Sequence, residues 1–156
     1  MRSVLLSAVF VVLVTAAAMA IAAGSPQSRT STVDLVQTQL LAPGKVTAGK
    51  TFVVTDEVEN QGTSQAFQSV TGFYLSVNDT FEIDQDLLVA VRRVSQLIPM
   101  QTSTARTPVT LKKEIPPGDY YLLAVADAKK DLEERTSENN VRAIKITLLG
   151  PEPKKR

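Results

Sequence analysis

Between residues 33 and 149 the chain reads as short runs in which apolar and polar positions alternate, separated by proline, glycine and asparagine. A period of two puts successive side chains on opposite faces of an extended chain, so each run predicts a half-buried β-strand. The run at 51–59 (TFVVTDEVE) sets Phe52, Val54, Asp56 and Val58 on one face, against Thr51, Val53, Thr55, Glu57 and Glu59 on the other. Asp56 interrupts this inner row. A buried carboxylate without a partner is too costly to persist, so Asp56 is expected to reach a backbone donor or to sit at a bulge.

The run at 116–127 (PPGDYYLLAVAD) has a different character: a proline and glycine corner leads into a ribbon that is apolar on both faces. That pattern predicts a central strand of a layered β structure. Tyr120, Leu122, Ala124 and Ala126 form the row expected in the core, and the Tyr120 hydroxyl is expected to bond backbone across the corner. Further strands are predicted at 33–41, 68–77, 87–92, 103–113 and 141–149, with a short element at 46–49. Gly72 is read as a bulge and Pro108 as a sign of an edge position or a bulge. The charged segment 128–138 reads as a long solvated loop, with one helical turn around Leu132 as the alternative. Together these elements predict an all-β chain, an immunoglobulin-like antiparallel β-sandwich of about seven strands.

Outside the sandwich, residues 1–23 carry Arg2 as their only charge, then an apolar run at 4–14 and a small-residue region. This is the layout of a secretory signal cut after Ala22 or Ala23; the alternative is an uncleaved anchor, since 4–23 has the length of a membrane span. Both place the sandwich outside the cytoplasm, in a secreted, periplasmic or cell-surface setting. Residues 24–32 read as a disordered polar linker, 33–149 as the sandwich, and 150–156 as a disordered basic tail.

Composition narrows the chemistry. Histidine and cysteine are absent, which removes imidazole shuttles, thiolate nucleophiles and the usual zinc ligand sets. Tryptophan is absent too and aromatics are 5% of residues, so the core must be aliphatic. The net charge of +1 gives no steering toward nucleic acid, and the pairs Lys112-Lys113 and Lys129-Lys130 lack interleaved aromatics. Charge is nevertheless uneven: residues 51–91 hold seven acidic side chains and no Lys or Arg, while 92–156 hold thirteen basic against eight acidic. Neighbouring strands with complementary surfaces are the expected outcome.

Four carboxylates, Asp79, Glu82, Asp84 and Asp86, crowd the loop after the 68–77 strand. Hard cations such as calcium take oxygen ligands of this kind, and Asp84-Gln85-Asp86 would put two on one side of an extended loop. The loop lacks the central glycine and distal glutamate spacing of a helix–loop–helix calcium site, so a solvated hairpin whose charge deters aggregation is the preferred reading. Asp127, Glu138, Asn139 and Asn140 are read as fixing the loop before the last strand. Asn78-Asp79-Thr80 matches the glycosylation acceptor pattern, a short match read as accidental. No catalytic, cofactor or metal residue is assigned.

Four blocks resemble the CARDB family, the cell-adhesion-related domain of bacterial surface proteins: TFVVTDEVENQGT at 51–63, GFYLSVNDTFEIDQDLLV at 72–89, PPGDYYLLAVADA at 116–128 and SENNVRAIKIT at 137–147. The resemblance implies an extracellular or periplasmic immunoglobulin-like module, usually in tandem or appended to larger proteins, whose link to adhesion rests on company. The expected function is non-enzymatic binding of an envelope or extracellular protein or a surface glycan. The alternatives are a calcium-stabilised structural module and a hydrolase using two carboxylates of the acidic loop.

Overall fold

The structure, a computed structural model, describes residues 32–153. The predicted leader, nearly all of the linker and the last three tail residues lie outside them. Eight strands follow in order: β1 (Leu35–Leu41), β2 (Lys45–Thr47), β3 (Thr51–Asn60), β4 (Ser69–Ser76), β5 (Leu87–Val94), β6 (Thr102–Thr110), β7 (Gly118–Val125) and β8 (Val141–Leu149). They form a three-stranded sheet, β1-β3-β6, and a five-stranded sheet, β2-β8-β7-β4-β5. The described residues are all-β, as their periodicity predicts. One pair departs from the antiparallel rule: β2 runs parallel to β8, Lys45 opposite Thr147 and Thr47 opposite Leu149. Pro43 and Gly44 break β1 without reversing it, so the chain steps to the other sheet and keeps its direction.

The two apolar rows of β7 go where the sequence places them. Leu122, Ala124 and Ala126 are buried between the sheets, the first two with Phe73 and Leu75 of β4, Ile146 and Leu148 of β8, and Leu40, Val54 and Val109 from the opposing sheet. Each fully buried Leu, Val or Phe in such a layer contributes on the order of 1.5–3 kcal/mol. The Tyr120 hydroxyl donates to the Pro116 carbonyl at 2.9 Å, which pins the corner. Pro108 lies on β6, an edge of its sheet, opposite Val53. Gly72 corrects its prediction. It pairs regularly with Val91 and Val125, and the irregularity falls one step on, between Phe73 and Tyr74, where β5 carries the extra residue Val89. Gly72 is glycine for room: a Cβ there would sit 2.7 Å from the Tyr74 ring and 2.9 Å from the Ala128 methyl.

Asp56 also corrects its prediction. It pairs in register with Leu40 and Ala105, so it is at no bulge, and its partner is not backbone. Arg92 reaches across from β5: its Nε donates to both Asp56 oxygens at 2.7 and 2.9 Å, and its terminal nitrogens donate to the Ser103 hydroxyl and carbonyl. The Gln37 amide adds a third donor to Asp56 at 3.2 Å. The Asp56 and Arg92 side chains are 0% and 8% exposed, so this pair ties the two sheets together in the interior. It joins the acidic stretch to the basic half, between layers and not between neighbouring strands.

A candidate binding groove on the outer sheet face

The second apolar row of β7 faces outward, yet it is also covered. Leu123 and Val125 cluster with Tyr74, and Tyr121, Val141 and Ala143 pack beside them. The loop 77–86 folds back over this face and sets Phe81 against Tyr74, ring centroids 4.6 Å apart and tilted by 55°. Burial, with the nearby Asp86 carboxylate, raises the Tyr74 phenol above its ordinary value.

The acidic loop does not assemble its four carboxylates. The extended Asp84-Gln85-Asp86 arrangement is replaced by a tight turn: the Glu82 carbonyl accepts from the Gln85 and Asp86 amides, both at 2.9 Å. Asp86 turns inward and accepts from the Glu82 amide at 2.8 Å, leaving Asp79 and Asp84 exposed. Asn78 uses its side-chain oxygen to accept from the Thr80 amide, a local turn bond. Among the described residues no group of three or more Asp or Glu is placed to hold a metal ion.

The opposite wall is the 126–140 loop, where Asp127, Glu134 and Arg135 are turned to internal bonds. Asp127, at φ 43°, accepts from the amides of Asp131 at 3.2 Å and Leu132 at 2.9 Å. Glu134 accepts from the Leu35 amide and from the Asn140 amide group, each at 2.7 Å. Asp34, wholly buried, takes Arg135 on one oxygen and Asn139 on the other at 2.9 Å. The loop is therefore anchored to the start of β1, and Leu132 packs on a second apolar cluster with Leu35 and Val58. That corrects the reading of a merely solvated loop. Asn140 bonds backbone as expected, at Ala126, whereas Asn139 bonds a carboxylate, and the Glu138 side chain lies at the groove. Sequence reasoning missed Asp34, a lone acid between Val33 and Leu35, and Glu134, one of several charges in the run 131–135, because no spacing marks either. Burial raises the Glu134 carboxyl above its usual range, and the Asp127 and Asp34 carboxylates push the same way. The two hydrogen bonds it accepts only partly offset this.

Between the two loops lies an open groove of about 810 Å3. Val125, Val141 and Ala143 line its apolar part, Phe81 stands at one side, and Asp79 and Glu138 bring negative charge. Its walls are fixed from within. Such a surface can seat an apolar ring face or an extended segment and meet hydrogen-bond donors from the acidic side. With no histidine or cysteine in the chain, it offers no thiolate or imidazole.

Comparison with known proteins gives one consistent answer. The family model for CARDB matches residues 32–144. None of the curated proteins matches the sequence. Among solved structures, the CARDB domain of a Pyrococcus furiosus protein in complex with di-metal ions is similar at 19% identity and a TM-score of 0.58, over 76% of this chain and 90% of that one. A Methanosarcina acetivorans domain assigned to a cell surface protein matches at 19% identity and a TM-score of 0.55, over 76% and 93%. At these identities the likeness establishes the fold.

Proposed function

Because the chain belongs to the CARDB family, we propose that it is a non-catalytic adhesion-type module that holds an extracellular protein or a surface glycan in the groove between the 77–86 and 126–140 loops. The observation that carries this reading is a partly covered apolar sheet face between two loops, each pinned by its own carboxylates, Asp86 in one and Asp127 and Glu134 in the other. A hydrolase would need two carboxyls converging roughly 5–9.5 Å apart around a bound substrate; here Asp86 serves its own turn and Asp84 faces solvent. The module acts outside the cytoplasm, carried there by the apolar segment at 4–14, in keeping with the cell-surface assignment of its Methanosarcina relative.

The test is binding of the full chain to a glycan array and to envelope proteins, with Val141→Lys and Ala143→Glu in the groove and Leu41→Lys on a distant exposed position as control. Loss of binding in the groove variants with the control unchanged is expected. Binding that survives both groove variants overturns the reading. A calcium-stabilised module is the second reading, favoured by the di-metal complex of the Pyrococcus relative; it predicts a melting temperature raised by millimolar calcium and lowered by chelator, and an unchanged melt removes it.

A further inference from the structure

One free edge of the sandwich is built differently from the others. β2 is three residues long, β6 carries Pro108, and β1 has a register shift between Gln37 and Gln39. Short length, proline and irregular pairing are the usual devices that keep an edge from adding another strand. β5 is eight residues long and holds neither proline nor lysine. It pairs with β4 alone, and among the described residues its other edge meets no backbone partner. Three of its large apolar side chains stand outside all the same: Leu87 is 44% exposed, Leu88 51% and Val91 56%.

β5 has an irregularity of its own, and here it has the opposite effect. In an unbroken strand, residues three apart lie on opposite faces. The extra residue Val89 changes that: Leu88 stands opposite Tyr74 and Val91 opposite Gly72, two positions apart on β4 and therefore on one face. Arg93, exposed and opposite Val70, follows on the same face. Asp86 precedes them there, close enough to Tyr74 to raise its phenol, and spends one carboxylate oxygen on the Glu82 amide. The outer row of β5 thus reads Asp86, Leu88, Val91, Arg93. It runs acid, apolar, apolar, base.

That order is its own complement when a second copy runs antiparallel to it. We propose that the chain forms a two-fold dimer in which β5 pairs with β5 of a second copy, the axis passing through the step from Val89 to Ala90. Leu88 then faces Val91 of the second copy and Asp86 faces its Arg93, each contact made twice by symmetry. A parallel pairing in register would set arginine against arginine. The two five-stranded sheets become one continuous sheet, and an axis normal to it turns both outer faces the same way. Two copies of the groove then face one surface. That gain in avidity rests on the groove reading, whereas the dimer does not.

The chain has no cysteine, so introduced ones report alone. Opposed residues of an antiparallel pair sit about 5 Å apart, within disulfide reach, while the two Leu88 positions of the dimer, or its two Val91 positions, lie more than about 7 Å apart. Cells producing full-length Leu88→Cys and Val91→Cys chains together are expected to give a disulfide-linked dimer on mild oxidation, and cells producing either variant alone are not. Light scattering of the full chain should give a dimer mass that falls to the monomer in Val91→Lys, with association weakened at least tenfold in Arg93→Glu. Both side chains are exposed, so the melting temperature of the separated chains should not move. Cross-linking as strong in single-variant cells as in mixed ones overturns the proposal. So does a chain that stays monomeric at every concentration, or a dimer that Val91→Lys leaves intact. None of these readouts uses a groove ligand, so a failed binding test at the groove and a failed dimer are told apart.

Discussion

The molecule holds two populations of carboxylate, and they behave oppositely. Those of the 77–86 loop are dense in sequence and form no joint site, since Asp79 and Asp84 face water and Asp86 closes a turn. Asp34, Asp56 and Glu134 are scattered, and each is placed where its removal breaks a junction: Asp56 between the sheets, Asp34 and Glu134 between β1 and the 126–140 loop. Density in sequence thus says little about work done. Burial and partners decide it, because an interior carboxylate survives only if every oxygen is answered.

This contrast can be broken at its strongest point first. Arg92→Ala leaves Asp56 charged and buried without its ion partner, and should lower stability by about 3–5 kcal/mol. The double change Asp56→Leu with Arg92→Met should recover most of that loss, measured by denaturant unfolding; failure to recover would show that geometry and not charge is at stake. Asp34→Ala strands Asn139 and frees Arg135, at a cost of about 1–3 kcal/mol, and should speed amide exchange in 126–140 while sparing β4 and β7.

Glu134 gives a pH signature. Its folded-state value is raised by burial and by the neighbouring Asp127 and Asp34, so the folded chain holds the proton more tightly than the unfolded chain. The stability from this group is therefore fully present at pH below the unfolded value and is lost as pH rises through the folded one. Glu134→Gln should flatten that segment of the stability profile, by less than about 1 kcal/mol because the group is only half-buried and solvent screens it. At the small end, Asp79→Asn and Asp84→Asn should move stability by no more than about 0.5 kcal/mol. A larger change would return the acidic loop to the set of working carboxylates.

What the sequence made legible follows the same division. The period-two runs gave the strands, the doubly apolar ribbon gave a central β7, and a tyrosine after a proline corner gave the Tyr120 bond, because each is written within about ten neighbouring residues. The Asp56–Arg92 pair was not legible: it depends on β3 and β5 facing each other across two layers, and Arg92-Arg93 looks like any surface pair. The groove was equally hidden. Its floor is an outward strand row, visible as apolar in the sequence, but nothing in 77–86 announces that Phe81 will fold back onto Tyr74.

The short parallel pairing of β2 with β8 carries a mechanical consequence. The polypeptide enters the sandwich beside Thr63 and leaves beyond Leu149 at the far end, so tension between the two termini pulls these strands along their length in opposite senses. Their hydrogen bonds are then loaded together in shear instead of opening one by one. Single-molecule pulling should find that Val46→Pro, which removes a donor from this strap, lowers the rupture force by more than it lowers equilibrium stability.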